Sequence, residues 1–530
     1  MQYPDLYEAT VSELQDGLDA YRFSSVDLVK AYLTRIDEVN LKGPALRAVL
    51  QTNSLALKKA AQLDEERRLT GKRGPLHGIP ILLKDNIATD NAEGMDTTAG
   101  SYALQGCVVP EDAGIVKKLR TAGAIILGKA NLSEFGQFRS HKLAGGWSPL
   151  GGQGTNAYYP GGDTCGSSSG SAVAISIGLA ALALGTDTSG SITFPASRSN
   201  IVGIRPTVGL TSRAGVVPIS SHQDTIGPMA RSVTDAAILL SAMAGTDPND
   251  EITCTQPVNT PDYRDALDPN ALVGKRIGVP RKVYFDSNFE THPVIVAAFE
   301  ESLKVMKEMG ATIIDPADLP SSDELIENDW QDEEQIWLVD FKIDLNKYLS
   351  GLKEVPSGVR TVTDIIKFIE EHPDLEQPNG CEDLSVMIES NNTRGYDEEM
   401  FKVLTRKIKR SGEDGIDAAL AKYNLDALVA PHVALQLQSA ASANAGYPMI
   451  QVPLGFFPDD TPPAILDGGT TIYPAPGMPF GVSFFASAWS EYNLIGMAYA
   501  FEQKTQTRMK RKAFAGAVPK TQLEDVVGRD

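Results

Sequence analysis

The chain has 530 residues, with 48 Lys and Arg against 68 Asp and Glu, giving a formal charge of −20. Its 42% apolar content excludes a chain disordered throughout, and the acidic balance argues against general binding to nucleic-acid phosphates or anionic lipid. Four scattered cysteines (Cys107, Cys165, Cys254, Cys381) without a CxxC pair, and six histidines without HExxH spacing, give no disulfide framework and no metal site.

The first residues, MQYPDLYEATVSELQDG, have neither the basic start nor the apolar core of a secretory signal, so a cytoplasmic protein is expected. Residues 10–70 read as helical. Ser25 or Asp27 caps a helix with Val26, Val29, Leu33 and Ile36 on one face, and Ala56, Leu57, Ala60 and Leu63 mark a second. After the breaker GKRGP, the run GIPILL predicts a short buried strand ending at Lys84. A helix from Asp112 to Ala122, the strand AIILG and a helix start at Asn131 follow.

Glycine is the compositional outlier, with 47 residues, many crowded with Ser and Thr between Gly145 and Asp235. That stretch holds one long helix pattern, Ser169 to Leu182. The apolar run AVAISIGLAALALG within it, about 14 residues, is too short to span a membrane. Alternation resumes with RIGVP, a helix over Pro293–Met309 and the strand ATIID. Residues 315–345 carry 11 acidic side chains and one basic one, which reads as a solvated helical insertion, taken over 315–400, rather than core. The strands LDALVAP, PMIQVPLG and GVSFFAS and a helix from Ser490 to Gln503 complete the chain; QTRMKRKAF reads as a helix end. The pattern predicts an α/β protein, a single large domain over 1–530 with a central mixed β-sheet flanked by helices.

The segment CGSSSGSAVAISIGLAALALGTDTSGSITFPAS (165–197) is poorly explained as a linker, because it runs into an apolar helix and contains Ile, Phe and Pro. Its two Gly/Ser clusters instead suit turns where backbone N–H groups converge on a developing oxyanion. Gly166–Gly170 matches GxSxG, but no apolar strand precedes it as a nucleophile elbow requires. No GK[ST] follows the glycines, which excludes a P-loop. A serine nucleophile needs a base. Lys84 at a strand end would ordinarily be exposed and paired, here with Asp85; buried, it would lose its proton more readily and could act as that base.

The runs HGIPILLKDN, GKANLSEF, CGSSSGSA…GTDTSGSITFPA, SSHQDTIGPMARSVTDAA and AGYPMIQVPLGF…MPFGVSF together resemble the amidase signature family over roughly residues 25–505, with its core at 70–245. The resemblance implies a Ser–cis-Ser–Lys triad that cleaves linear carboxamides through an acyl-enzyme. Lys84 would be the base, Ser167 the bridging serine at a cis peptide, and Ser191 the nucleophile. Amides of Thr188, Ser189, Gly190 and Ser191 would form the oxyanion hole, Asp187 would support it, and no cofactor would be needed. The family often has glycine at Ser189, arginine at Thr193 and glycine at Cys165. That arginine usually holds the aspartate matching Asp187, which must here find Arg198 or Arg205.

His222 is expected in a structural or pocket-wall role, His77 in a turn, and Cys165 is a weak rival nucleophile. Within the family the motifs look most like peptide amidases and fungal-type amidases, which implies an amide or C-terminal peptide-amide substrate, a monomer or homodimer, and neither membrane nor nucleic-acid partners. The alternatives are the glutamine-hydrolysing component of an amidotransferase complex (its A subunit) and a non-catalytic binding protein on the same fold.

Overall fold

The computed structural model describes residues 3–285, 291–432, 437–466 and 469–529. Among these, eleven strands form one mixed sheet: β1 (Val49–Thr52), β2 (Pro80–Lys84), β3 (Ile125–Ala130), β4 (Leu182–Asp187), β5 (Val202–Arg205), β6 (Thr225–Ala230), β7 (Arg276–Gly278), β8 (Thr312–Ile314), β9 (Ala427–His432), β10 (Met449–Phe456) and β11 (Pro479–Phe485). Their spatial order is β1-β3-β2-β4-β6-β5-β10-β11-β9-β7-β8. β2 runs parallel to both β3 and β4, whereas β4–β6, β5–β6, β5–β10 and β10–β11 are antiparallel. Strands early and late in the chain thus share one sheet, and the molecule is a single large α/β domain.

Pro80 to Lys84 are all buried. A strand paired on both sides in parallel, and covered on both faces, has no solvent face to alternate toward, which is why IPILL is continuously apolar. The helix predicted near Ser25 spans Ser25–Val39, but its cap is Ser24. The Ser24 hydroxyl accepts from the Asp27 amide, and the Asp27 side chain accepts in return from the Ser24 amide, so Asp27 lies inside the helix.

Two predicted helices are corrected. The apolar run from Ser169 is a helix only to Ser176; Leu182 begins β4. Between them Gly178 turns at φ +70°, and a Cβ there would sit 2.1 Å from the Leu6 carbonyl oxygen. A left-handed turn at glycine ends the helix without a steric penalty and sends the chain back into the sheet. Asn131 starts no α-helix; its side chain bonds the Arg47 carbonyl at 2.9 Å, and only a short 3₁₀ turn, Glu134–Gln137, follows.

The acidic stretch forms most of a 29-residue helix, Ser322–Ser350. It is not simply solvated. Ile336, Trp337, Phe341, Leu345 and Leu349 are buried on one face, as are the acidic Asp332, Glu333 and Asp340. Charge density concealed a core face, because side chains three and four apart along a helix share one side however acidic the rest is.

Candidate active site

Lys84 ends β2, and the next parallel strand, β4, ends at Asp187, so both deliver their last side chains to the same end of the sheet. The segment before the helix Ser169–Ser176 is stitched to this end by its own hydroxyls. Ser168 Oγ donates to the Thr186 carbonyl at 3.1 Å, Ser171 Oγ donates to the Leu184 carbonyl at 2.8 Å, and the Ser168 amide donates to the Ser191 carbonyl at 3.1 Å. The serine richness of 165–171 thus registers the loop and the helix start against β4 and Ser191. The Gly166–Ser167 peptide bond is cis.

Lys84 is completely buried. Its Nζ lies 2.6 Å from Ser167 Oγ, 2.9 Å from Thr186 Oγ1 and 3.2 Å from the Thr186 carbonyl oxygen. Burial pulls the ammonium down to about 7; the carboxylates of Asp187 and Asp224 work in the opposite direction. The pairing with Asp85 suggested by sequence adjacency does not occur. Asp85 accepts from the Thr98 hydroxyl and from the Thr98 and Gly100 amides. Asp85 lies just past the end of β2, in a turn, and its carboxylate is taken up by the Thr98–Gly100 segment. Among the described residues no hydrogen bond joins Ser191 Oγ to Ser167 Oγ; Ser167 Oγ is held from the Lys84 side.

Asp187 finds its partner in Arg205 of β5. Arg205 Nη1 is 2.6 Å from Asp187 Oδ1 and 3.0 Å from the Asp187 carbonyl oxygen, with both side chains fully buried. Arg198, the other candidate, lies 3.7 Å from Asp163 instead. Asp187 accepts from the Gly190 amide at 2.8 Å and the Ile192 amide at 2.7 Å, and so fixes the turn that carries Ser191. The Gly190 amide, one of the four expected to face an oxyanion, donates to Asp187 in this structure. Gly190 itself turns at φ +93°, and a Cβ there would sit 2.3 Å from the Phe194 ring.

Ser191 opens on a cavity of about 440 Å³, whose wall also includes Thr188, Ser189, Cys165, Gly166, Asp163 and Arg198. Burial raises the Cys165 thiol to about 12, with the Asp163 carboxylate adding to the effect. It therefore stays protonated and is a poor nucleophile. His222 is off this wall: its Nδ1 lies 2.8 Å from Asp340 Oδ2. His77 is buried in its turn, with Nε2 2.9 Å from the Leu63 carbonyl oxygen.

Several site residues were not singled out from the sequence. Thr186, inside GTDTSGS, is the second partner of Lys84, and Asp224, inside SSHQDT, accepts from Thr188 Oγ1 at 2.6 Å. Both lie within the recognisable motifs, but only the strand pairing brings them to the lysine. Among the described residues no group of His, Cys, Asp and Glu could hold a metal ion, and no helix is long and apolar enough to cross a membrane.

A protein-family model described as Amidase matches residues 27–495. The chain belongs to the amidase family. It is 42% identical to a protein of Arthroderma benhamiae named as an amidase, over 99% of this chain and 90% of that one. The native peptide amidase from Stenotrophomonas maltophilia superposes with a TM-score of 0.84 and is 41% identical, covering 98% of this chain and all of the other (100%). The A subunit of the glutamyl-tRNA(Gln) amidotransferase of Moorella thermoacetica is 32% identical, over 96% of this amidase and 99% of the relative. The amidase is thus a hydrolase of amide C–N bonds.

Proposed function

We propose that this amidase hydrolyses linear carboxamides with Ser191 as nucleophile, Ser167 as proton bridge and Lys84 as base, and that C-terminal peptide amides are among its substrates. The observation that carries the reading is the contact between a buried lysine, Lys84, and Ser167 Oγ, 2.6 Å apart, beside the cavity that Ser191 lines. Burial pulls the Lys84 ammonium down to about 7, so it loses its proton far more readily than an exposed lysine, which suits it to proton transfer.

In this reading neutral Lys84 takes the Ser167 proton, and Ser167 takes the Ser191 proton as the Ser191 hydroxyl turns toward it. Ser191 Oγ then attacks the amide carbon. Hydrogen bonds of this kind are often incomplete before substrate arrives. Negative charge gathers on the former carbonyl oxygen, within reach of the Thr188, Ser189 and Ser191 amides. The tetrahedral intermediate collapses by breaking the C–N bond, and the proton returns along the same relay to release ammonia. Water, deprotonated by the relay, then attacks the acyl-enzyme, and the free acid leaves with Ser191 restored.

The identity to the Stenotrophomonas maltophilia peptide amidase supports the peptide-amide substrate. The identity to the Moorella thermoacetica amidotransferase component supports a second reading, glutamine hydrolysis within a complex. One experiment separates them: turnover of C-terminally amidated peptides, glutamine, aliphatic amides and aryl anilides by the isolated chain, with released ammonia or amine measured alongside gel filtration. Ammonia from peptide amides by a species near 56.9 kDa or its dimer supports the proposal. Activity confined to glutamine, or absent without partner chains, rejects it in favour of the second reading.

A further inference from the structure

Five apolar side chains line the cavity with Ser191: Phe138, Phe194, Ile219, Trp337 and Leu466. Trp337 comes from the buried face of the helix Ser322–Ser350 and meets Phe138 edge-on, with ring centroids 6.4 Å apart. Its indole Nε1 donates to Gln223 Oε1 at 2.9 Å. Gln223 is completely buried, and the Lys407 ammonium donates to the same oxygen. Gln223 Nε2 donates to Glu333 Oε1 at 3.0 Å and to the Thr188 carbonyl at 3.4 Å. The Gln223 carbonyl accepts from Arg205 Nη2 at 2.8 Å, and Arg205 in turn holds Asp187.

The orientation of this amide is fixed by its neighbours. Two donors face its oxygen, and a carboxylate and a carbonyl face its nitrogen. A half-turn would set NH₂ against an ammonium and an indole N–H, and oxygen against a carboxylate. One rigid side chain therefore touches both the indole on the cavity wall and the first residue of the Thr188–Ser191 turn.

We infer that the cavity selects amides whose acyl side carries a bulky aromatic or aliphatic group, with Trp337 as the specificity-determining wall and Gln223 as the positioning residue that fixes the indole relative to the nucleophile turn. This rests on the amidase reading of the same site. An apolar side chain packed against the indole leaves water and adds contact area, whereas a glycyl amide leaves the same wall uncovered.

The test compares two blocked dipeptide amides, one ending in Phe-NH₂ and one in Gly-NH₂, with kcat and KM measured separately on the full-length enzyme. Wild type should favour the Phe amide by at least about tenfold in kcat/KM, the range a hydrophobic pocket delivers. Trp337→Ala should bring the ratio to within about threefold, mainly by raising KM for the Phe amide, since the lost contact is made equally before and in the transition state. Trp337→Phe keeps a ring but loses the N–H donor, and Gln223→Leu loses the acceptor. Each should reduce the preference, and the double variant should be no worse than the poorer single one, because both remove the same contact.

Equal turnover of both amides by wild type, equal loss on both substrates in the variants, or additive losses in the double variant would overturn the inference. If Gln223→Leu does not fold, Trp337→Phe decides alone: an unchanged preference there overturns the positioning role. Binding of the two amides to Ser191→Ala, read by tryptophan fluorescence, separates this inference from the function itself. Tighter Phe-amide binding with no turnover by wild type would keep the cavity assignment and reject the proposed reaction; equal binding would reject the cavity assignment.

Discussion

Arg205 Nη1 approaches Asp187 Oδ1 to 2.6 Å between two segments of the sheet that are not paired to each other, while Asp187 holds the Gly190 and Ile192 amides. Of the two arginines the sequence offered Asp187, Arg205 on β5 is the one that holds it. Replacing Arg205 with Leu would leave the Asp187 carboxylate buried without its partner, at a cost of about 3–5 kcal/mol. The expected outcome is a clear drop in the thermal unfolding midpoint and in kcat together, checked by calorimetry and ammonia release. A variant with unchanged kcat would show that the Asp187 turn needs no cationic anchor.

Ser191→Ala should reduce hydrolysis to below about 1% of wild type, because no covalent intermediate can form. Ser167→Ala should be less severe, and Lys84→Ala nearly as severe as Ser191→Ala near neutral pH. Steady-state ammonia release under identical substrate saturation checks the ranking. Retention of more than a few per cent by Ser191→Ala would remove that residue from the reaction.

The pH profile follows from the direction of the Lys84 shift. Burial lowers the lysine to about 7, and only its neutral form accepts a proton. Activity should therefore rise with pH through about 7 and level off above it, falling about tenfold per unit on the acid side. Asp224 raises the lysine by its charge, so Asp224→Asn should move the acid limb to lower pH. A profile of kcat/KM from pH 5 to 9 in both proteins decides this. A shift toward higher pH in the variant would contradict the charge argument.

Cys165 lines the cavity beside Gly166, yet its thiol is held protonated by burial. Cys165→Ala should keep kcat within about threefold of wild type, since a thiol held protonated is a poor nucleophile. Loss of turnover in the variant, with Ser191 intact, would make the thiol a participant.

The alternation of short apolar runs with helical patterns determined the α/β class, and the ordered motifs around Lys84, Ser167 and Ser191 singled out three residues distributed over more than a hundred positions. Those features are local: a buried strand must be apolar along its length, and a tight Gly/Ser turn needs glycine where a Cβ would collide. What the sequence left open was decided by strand pairing. Lys84 is buried against Ser167 and Thr186 because β2 lies beside β4 in parallel register. The choice of Arg205 over Arg198 depends on β5 lying beside β6, next to β4, an arrangement no spacing encodes. The same limit explains Trp337. Eleven acidic residues in 315–345 advertise solvent, but whether a helix face meets water or a cavity depends on what packs against it. Gln223, 114 positions earlier, accepts the indole N–H only because the folded chain brings them together.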